Sequence, residues 1–369
     1  MSTLKTRAAI LRKGGEPWEV TELDLDAPQA GEVLVRFEAA GLCHSDEHIR
    51  ATGQARLPLV GGHEGAGVVE AVGPGVTRVA LSDHIACSYI PVCGTCRYCS
   101  TGHQNLCDAG LNAAVGCLPD GTFRFHSGGE DLGGMCVLGT FSQHAVLSEW
   151  SCVRIEPDIP FELAALVSCG VTTGWGSAVY AAGVRPGDTV VIFGIGGVGI
   201  NAVQGARYAG AKNVIAIDPL EFKLESAKPF GATHVMSDPA AARELVVELT
   251  RGQLADHVIL TVGEMNAEVV RQAVDMTGKA GQVTITGVGY YEMTLPGNVL
   301  IGYQRRLQGA LFGAANPLYD IPKILALYRS GDIKLDELIT QRYRLDEVNE
   351  GYRDMLDGKN IRGVINHEH

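Results

Sequence analysis

Residues 190–218 constrain this chain more than any other stretch. They open with Val190, Val191, Ile192 and Phe193, an unbroken apolar run that suits a strand buried on both faces of a parallel sheet. The run leads straight into Gly194-Ile195-Gly196-Gly197-Val198-Gly199, which fits G-x-G-x-x-G. Residues 200–209 predict a helix, with Gly210 past its end. A second apolar run, Val214 to Ile217, then stops at Asp218. Each part has a physical job. Gly194 permits the tight turn, Gly196 lets backbone approach a pyrophosphate, and Gly199 lets the helix pack close to the strand. The helix N-terminus aims free N–H groups and positive partial charge at the phosphates. Asp218 stands at the distance expected of a ribose acceptor, and its charge disfavours a 2′-phosphate, so NAD is predicted over NADP. A glycine motif alone is weak; strand, turn, helix, strand and acid in order make it specific.

The chain has 369 residues, enough for about two domains. Its formal charge of −12 argues against a nucleic acid or an anionic membrane as partner. No apolar run reads as long enough to span a bilayer, and the N-terminus lacks the apolar core of a signal peptide. The prediction is a cytoplasmic protein, where disulfides are disfavoured. Its 10 cysteines then need another explanation.

Their spacing supplies one. Residues 6–12 and 33–40 read as strands, and Cys43 follows the second. His63 and Glu64 lie in a Gly-rich segment that leads into an alternating strand. Thiolate and imidazole are ligands zinc prefers. Cys43 and His63 are too far apart for a finger. Two ligands from separate elements, with Cys169 as a candidate third, match an open catalytic site. Taken alone, each would more often be an ordinary buried cysteine or histidine. Cys93, Cys96, Cys99 and Cys107 form CxxCxxC plus one more cysteine in a compact loop. Four thiolates so spaced can close a tetrahedral shell with no position for water, a structural site. Iron–sulfur ligation is the competing reading of that loop. Residues 108–135 read as irregular loop, and His126 and His144 as ordinary histidines. After Asp218 the pattern continues strand–helix, with strands at 258–262 and 282–286 and a helix at 267–276. Helices at 322–328 and 348–356 return toward the first domain.

Taken together, the chain resembles the zinc-containing medium-chain alcohol dehydrogenases over essentially its whole length. The G-H-E-x-x-G-x5-G motif is complete at Gly62, His63, Glu64, Gly67 and Gly73, alongside the four-cysteine lobe and the nucleotide fingerprint. The resemblance implies an α/β protein, with a GroES-like catalytic domain at 1–170, a Rossmann doubly wound parallel-sheet domain at 171–311, and a C-terminal return at 312–369. It implies two zinc ions per subunit and NAD. Cys43, His63 and Cys169 would hold the catalytic zinc, with Glu64 beside it; the Cys93 lobe would hold the structural one. The expected nucleotide contacts are His44, Thr173, Gly194, Gly196, Gly197, Val198, Gly199, Asp218, Lys223, Val262, Val288 and Arg362. Within the family, segments around Cys99, Cys169 and Asp218 look most like the nitrosoaniline-dependent, mycofactocin-associated actinobacterial enzymes. That branch implies tightly held NAD and an external redox partner or mycofactocin-type acceptor. The glutathione-dependent formaldehyde dehydrogenases are the alternative branch. Leu81-Ser82-Asp83 departs from the family's Pro-Gly-Asp turn, and His44 stands where some relatives have arginine.

The expected partner is a small-molecule alcohol or aldehyde, with no nucleic acid, no membrane, and assembly as a homo-oligomer. An alcohol must lose a proton and a hydride, and zinc, as a Lewis acid, makes the proton removable near neutral pH. Ser45 is assigned as first proton acceptor, relaying through the nicotinamide ribose to His48. Hydride goes to nicotinamide. The competing assignment has Ser45 merely capping the helix after Cys43. Other function classes are a zinc-free quinone or enoyl reductase, disfavoured by seven intact ligands, and a non-catalytic nucleotide-binding structural or regulatory protein, disfavoured by Ser45 and His48.

Overall fold

The Thr189–Phe193 strand is buried at every residue, as is Asn213–Ile217 beside it, so this sheet is covered on both faces. The computed structural model describes residues 3–289 and 291–369. Contacts divide the chain into two units. One comprises residues 1–169, 316–331 and 335–369, the other 170–315 and 332–334.

The second unit holds a six-stranded sheet. Its order is His234–Met236, Asn213–Ile217, Thr189–Phe193, Ala255–Leu260, Thr277–Ile285, Arg306–Gly309, and every pairing is parallel. Counted along the chain the order is 3-2-1-4-5-6, with its switch point beside Thr189–Phe193, where such sheets bind ligands at the carboxyl ends of the strands. The glycine loop follows that strand, and the helix Gly197–Tyr208 starts within the motif itself, three residues before the predicted start. Its core combines Val191, Phe193, Ile215, Val258 and Leu260 with Val270 and Val274 of the Ala267–Met276 helix.

The first unit contains a closed five-stranded barrel and a seven-stranded sheet. The Glu32–Gly41 strand buries alternate side chains along much of its length, as the two-residue period of a strand requires. It pairs with Glu64–Val72 so that Gly41 faces Glu64. The last strand, Arg362–Asn366, joins its other side, with Val364 opposite Gly41. The C-terminal tail therefore completes the first unit's sheet.

Two expectations change. Residues 108–135 are not wholly irregular: Phe125–Ser127 and Glu130–Gly134 pair as a hairpin and close the barrel. A helical run, Phe161–Ala182, is long and apolar enough by length and composition to cross a membrane, which sequence reading did not expect. Of its apolar window 89% is buried inside the protein, as the core helix of a folded domain would be.

Candidate metal and nucleotide sites

Two strand ends and a helical turn converge on one group of side chains. Cys43 follows Glu32–Gly41 and is the N-cap residue of the His44–Thr52 helix. His63 immediately precedes Glu64–Val72. Cys169 lies in a π turn, Val167–Val171, a wide helical turn that recurs at functional sites. Ligand atoms of Cys43, His63, Glu64 and Cys169 all lie within 4.8 Å of one another. A tetrahedral ion with metal–ligand bonds of 2.0–2.3 Å sets its ligands roughly 3.3–3.8 Å apart, so the group fits one ion. Two thiolates and an imidazole are a zinc donor set.

The charges around this group agree. The hydrogen bond from Cys169 pulls the Cys43 thiol well below its ordinary value, against burial, and His63 pulls further. The same bond, with burial, pushes Cys169 up. Binding an ion would require both sulfurs as thiolates. Burial alone would lower His63, but Asp46 and the two cysteines outweigh it. Asp46 escaped the sequence reading. It is wholly buried, and its Oδ1 lies 3.0 Å from His63 Nδ1. With Nδ1–H donating there, Nε2 is left for the metal, the usual role of such a carboxylate. The signal was present: Asp46 follows Cys43 by three residues, one helical turn.

Glu64 pairs with Arg362, and both side chains are buried. Burial raises Glu64 to about 7, with Arg362 holding it down. A Cβ on Gly41 would meet Glu64 Oε2 at 2.1 Å and Arg362 Nη2 at 3.0 Å, so only glycine fits beneath this pair. Arg362 also donates to Leu42 O at 3.1 Å. Arg362→Met would leave Glu64 buried without its counter-charge, at a cost of about 3–5 kcal/mol. We expect a lower melting temperature, partly restored in Glu64→Gln/Arg362→Met; an unchanged melting curve for the single variant would contradict the pairing.

Ser45 Oγ stands 3.8 Å from Cys43 Sγ. Ser45 is inside the helix rather than at its cap, and the cap position carries no side-chain bond, so the capping assignment fails. His48 is three residues on, on the same helix face. His44 is exposed. The Tyr89 ring stands edge-on to His63 at 5.8 Å.

In the lobe, Cys93, Cys96, Cys99 and Cys107 also converge within 4.8 Å, and all four are free thiols. One ion fits this spacing, while an iron–sulfur cluster holds its thiolates farther apart. Backbone N–H groups of Cys96 and Cys93 point at Cys93 Sγ and Cys107 Sγ, each at 3.3 Å.

In the second unit, Gly194 has φ +85° and a Cβ there would strike Val262. A Cβ on Gly196 would meet nothing within 4 Å, so the protein's own packing does not demand that glycine. The open space suits an outside group approaching the backbone. Asp218 accepts from Ile195 N at 2.8 Å and Leu220 N at 3.0 Å, fixing its carboxylate beside the loop with lone pairs to spare. Thr173 Oγ1 is buried with no partner among the described residues, as a group awaiting a ligand would be. Lys223 is half-buried on the Glu221–Ala227 helix and Val288 is half-exposed. Trp175 packs against Tyr208, with ring centroids 5.0 Å apart.

The model of the alcohol dehydrogenase GroES-like domain matches residues 29–157, and that of the zinc-binding dehydrogenase matches residues 197–330. An NDMA-dependent alcohol dehydrogenase of Amycolatopsis methanolica is 56% identical, covering 99% of each chain. A putative alcohol dehydrogenase D of Mycobacterium tuberculosis is 54% identical, covering 99% of this chain and 100% of that one. A solved alcohol dehydrogenase zinc-binding domain protein from Burkholderia ambifaria covers all of both chains, with a TM-score of 0.92 at 32% identity.

Proposed function

The chain belongs to the zinc-containing medium-chain alcohol dehydrogenases, and from that premise we propose that it oxidises a small alcohol to its aldehyde with tightly held NAD and passes the electrons to an external acceptor. It is an oxidoreductase acting on alcohols, with a GroES-like and a Rossmann fold. The observation that carries the proposal is the convergence of Cys43, His63, Glu64 and Cys169 on one ion-sized space. Those residues would hold the catalytic zinc, and the Cys93 lobe a second. When bound, zinc supplies Lewis acidity toward the substrate oxygen and NAD accepts the hydride.

The remaining work falls to side chains. Ser45 accepts the hydroxyl proton, and His48, one turn along the same helix, carries it outward. Asp46 orients His63. Gly194, Gly196, Gly197, Val198 and Gly199 seat the pyrophosphate at the helix start, with His44 and Arg362 as its further contacts. Asp218 and Lys223 take the adenosine ribose. Thr173, Val262 and Val288 contact the nicotinamide end. Cytoplasmic location and homo-oligomeric assembly belong to the same reading. The external acceptor is supported by the NDMA-dependent relative.

The test uses protein purified without added cofactor. Denaturation is expected to release about one NAD per chain, and alcohol oxidation to proceed with a nitrosoaniline acceptor but not with free NAD. An empty protein that reduces free NAD would overturn the tight-binding part. Asp218→Gly is expected to raise selectivity for NADP over NAD by about tenfold or more on reconstitution of the nucleotide-free protein, because it removes the charge that repels a 2′-phosphate; an unchanged ratio in that titration would remove Asp218 from the ribose site.

A further inference from the structure

The strand that carries Arg362 ends at Asn366, and His367-Glu368-His369 follow it directly. This tail is docked. His367 N donates to Glu38 O at 3.0 Å, continuing the ladder past the strand's end. His367 Nε2 lies 3.0 Å from Thr140 O, and its ring stands beside that of Phe37, tilted by 33° with centroids 6.4 Å apart. His369 Nε2 reaches Phe37 O at 2.9 Å. Gln143 donates to Glu368 O. His367 is 8% exposed, and burial pushes it down to about 4, so the ring is neutral near pH 7. A neutral ring bonded to a carbonyl through Nε2 carries its proton there, and Nε2–H is the donor.

Thr140, bonded to His367, and its neighbour Phe141 back the ligand loop. Thr140 N donates to Gly62 O at 3.0 Å, and Phe141 N to Gly61 O at 2.9 Å. A Cβ on Gly62 would meet Thr140 Oγ1 and Phe141 Cδ1, each at 2.5 Å. A Cβ on Gly65 would meet Thr140 Cγ2 at 2.6 Å and Phe37 Cε1 at 3.0 Å. Thr140 and Phe37 therefore fill the space against Gly62 and Gly65, the residues flanking His63 and Glu64. The tail contacts both of them, and the strand before it carries Arg362 to Glu64.

We propose that His367 is a positioning residue for the metal site: its hydrogen bond to Thr140 and its packing on Phe37 hold the Gly62–His63–Glu64–Gly65 segment in ligating register. The role acts through Thr140 and Phe37, and His367 touches no reacting atom. It rests on the reading that Cys43, His63 and Cys169 bind zinc.

The test follows zinc release from the zinc-loaded full chain to an excess of a colorimetric chelator, which reports the two sites as separate phases. The Cys93 lobe serves as internal control. His367→Ala is expected to speed release from the Cys43 site about tenfold, in line with losses of outer partners of metal ligands, and to leave the lobe phase unchanged. His367→Gln keeps an N–H donor at similar reach and is expected to restore the wild-type rate. His367→Phe keeps the ring without the donor and is expected to release fast, which tests the bond even if the alanine variant fails to fold. Unchanged release from the Cys43 site in the alanine and phenylalanine variants would overturn the proposal. So would equal acceleration of both phases, which is general loosening. A wild-type preparation with no zinc at the Cys43 site would instead overturn the reading on which the proposal rests.

Discussion

Replacing Cys43 with alanine is expected to abolish alcohol turnover and leave the fold in place. Cys43 supplies one of two thiolates to the ion-sized space shared with His63 and Cys169. Without it, the ion keeps one sulfur and one imidazole, too few for a firm catalytic site. The chemistry lost with the ion is worth several kcal/mol of charge stabilisation. At 1.36 kcal/mol per factor of ten, kcat/KM should fall by about a thousandfold or more. The fold should survive, because the sheet register that brings Gly41, Glu64 and Val364 together is made by backbone pairing. Far-ultraviolet circular dichroism should match wild type. A Cys43→Ala protein with wild-type kcat/KM would show that the reaction happens elsewhere.

The second large effect has the opposite signature. Cys96→Ala in the lobe is expected to lower thermal stability and leave the turnover of surviving folded enzyme near wild type. The lobe is built around its sulfurs: Cys96 Sγ accepts from Cys99 N at 3.5 Å and caps the short Arg97–Ser100 helix. Burial raises Cys93, but hydrogen bonds from Thr95 and Cys96 outweigh it and bring it down to about 6. Burial pushes Cys99 up to about 12. Such mixed thiols would become four thiolates only with a cation among them, so a metal bound at the proposed lobe site would add its binding energy to the stability of the fold. The expected fall in melting temperature is roughly 10 °C. Lost activity in a variant as stable as wild type would assign the lobe a part in catalysis.

How far the sequence could be read depends on the length scale of each signal. The Ala267–Met276 and Val348–Leu356 helices were legible to the residue, because several turns of apolar spacing repeat the same message. The parallel strands Thr189–Phe193 and Asn213–Ile217 were legible as unbroken apolar runs. The hairpin Phe125–Ser127 and Glu130–Gly134 was not, since its strands are short, are joined through Gly128-Gly129, and show barely one period of alternation. The edge strand Arg306–Gly309 is largely exposed and carries little apolar pattern at all. At the proposed metal site, residue type and spacing pointed to Cys43, His63 and Cys169, which the structure brings together. The supporting contacts were not legible: Asp46 against His63, Arg362 against Glu64, and the tail against Thr140 join positions 17, 298 and 227 residues apart. Tertiary register makes those pairs, and a sequence pattern records only one side of each.

The most direct test of the central claim is anomalous diffraction from crystals of the full chain, measured on either side of the zinc absorption edge. Two zinc peaks are expected per chain, one among Cys43, His63 and Cys169 and one among Cys93, Cys96, Cys99 and Cys107. A lobe peak with none at Cys43, His63 and Cys169, in protein that still oxidises alcohols, would contradict the account.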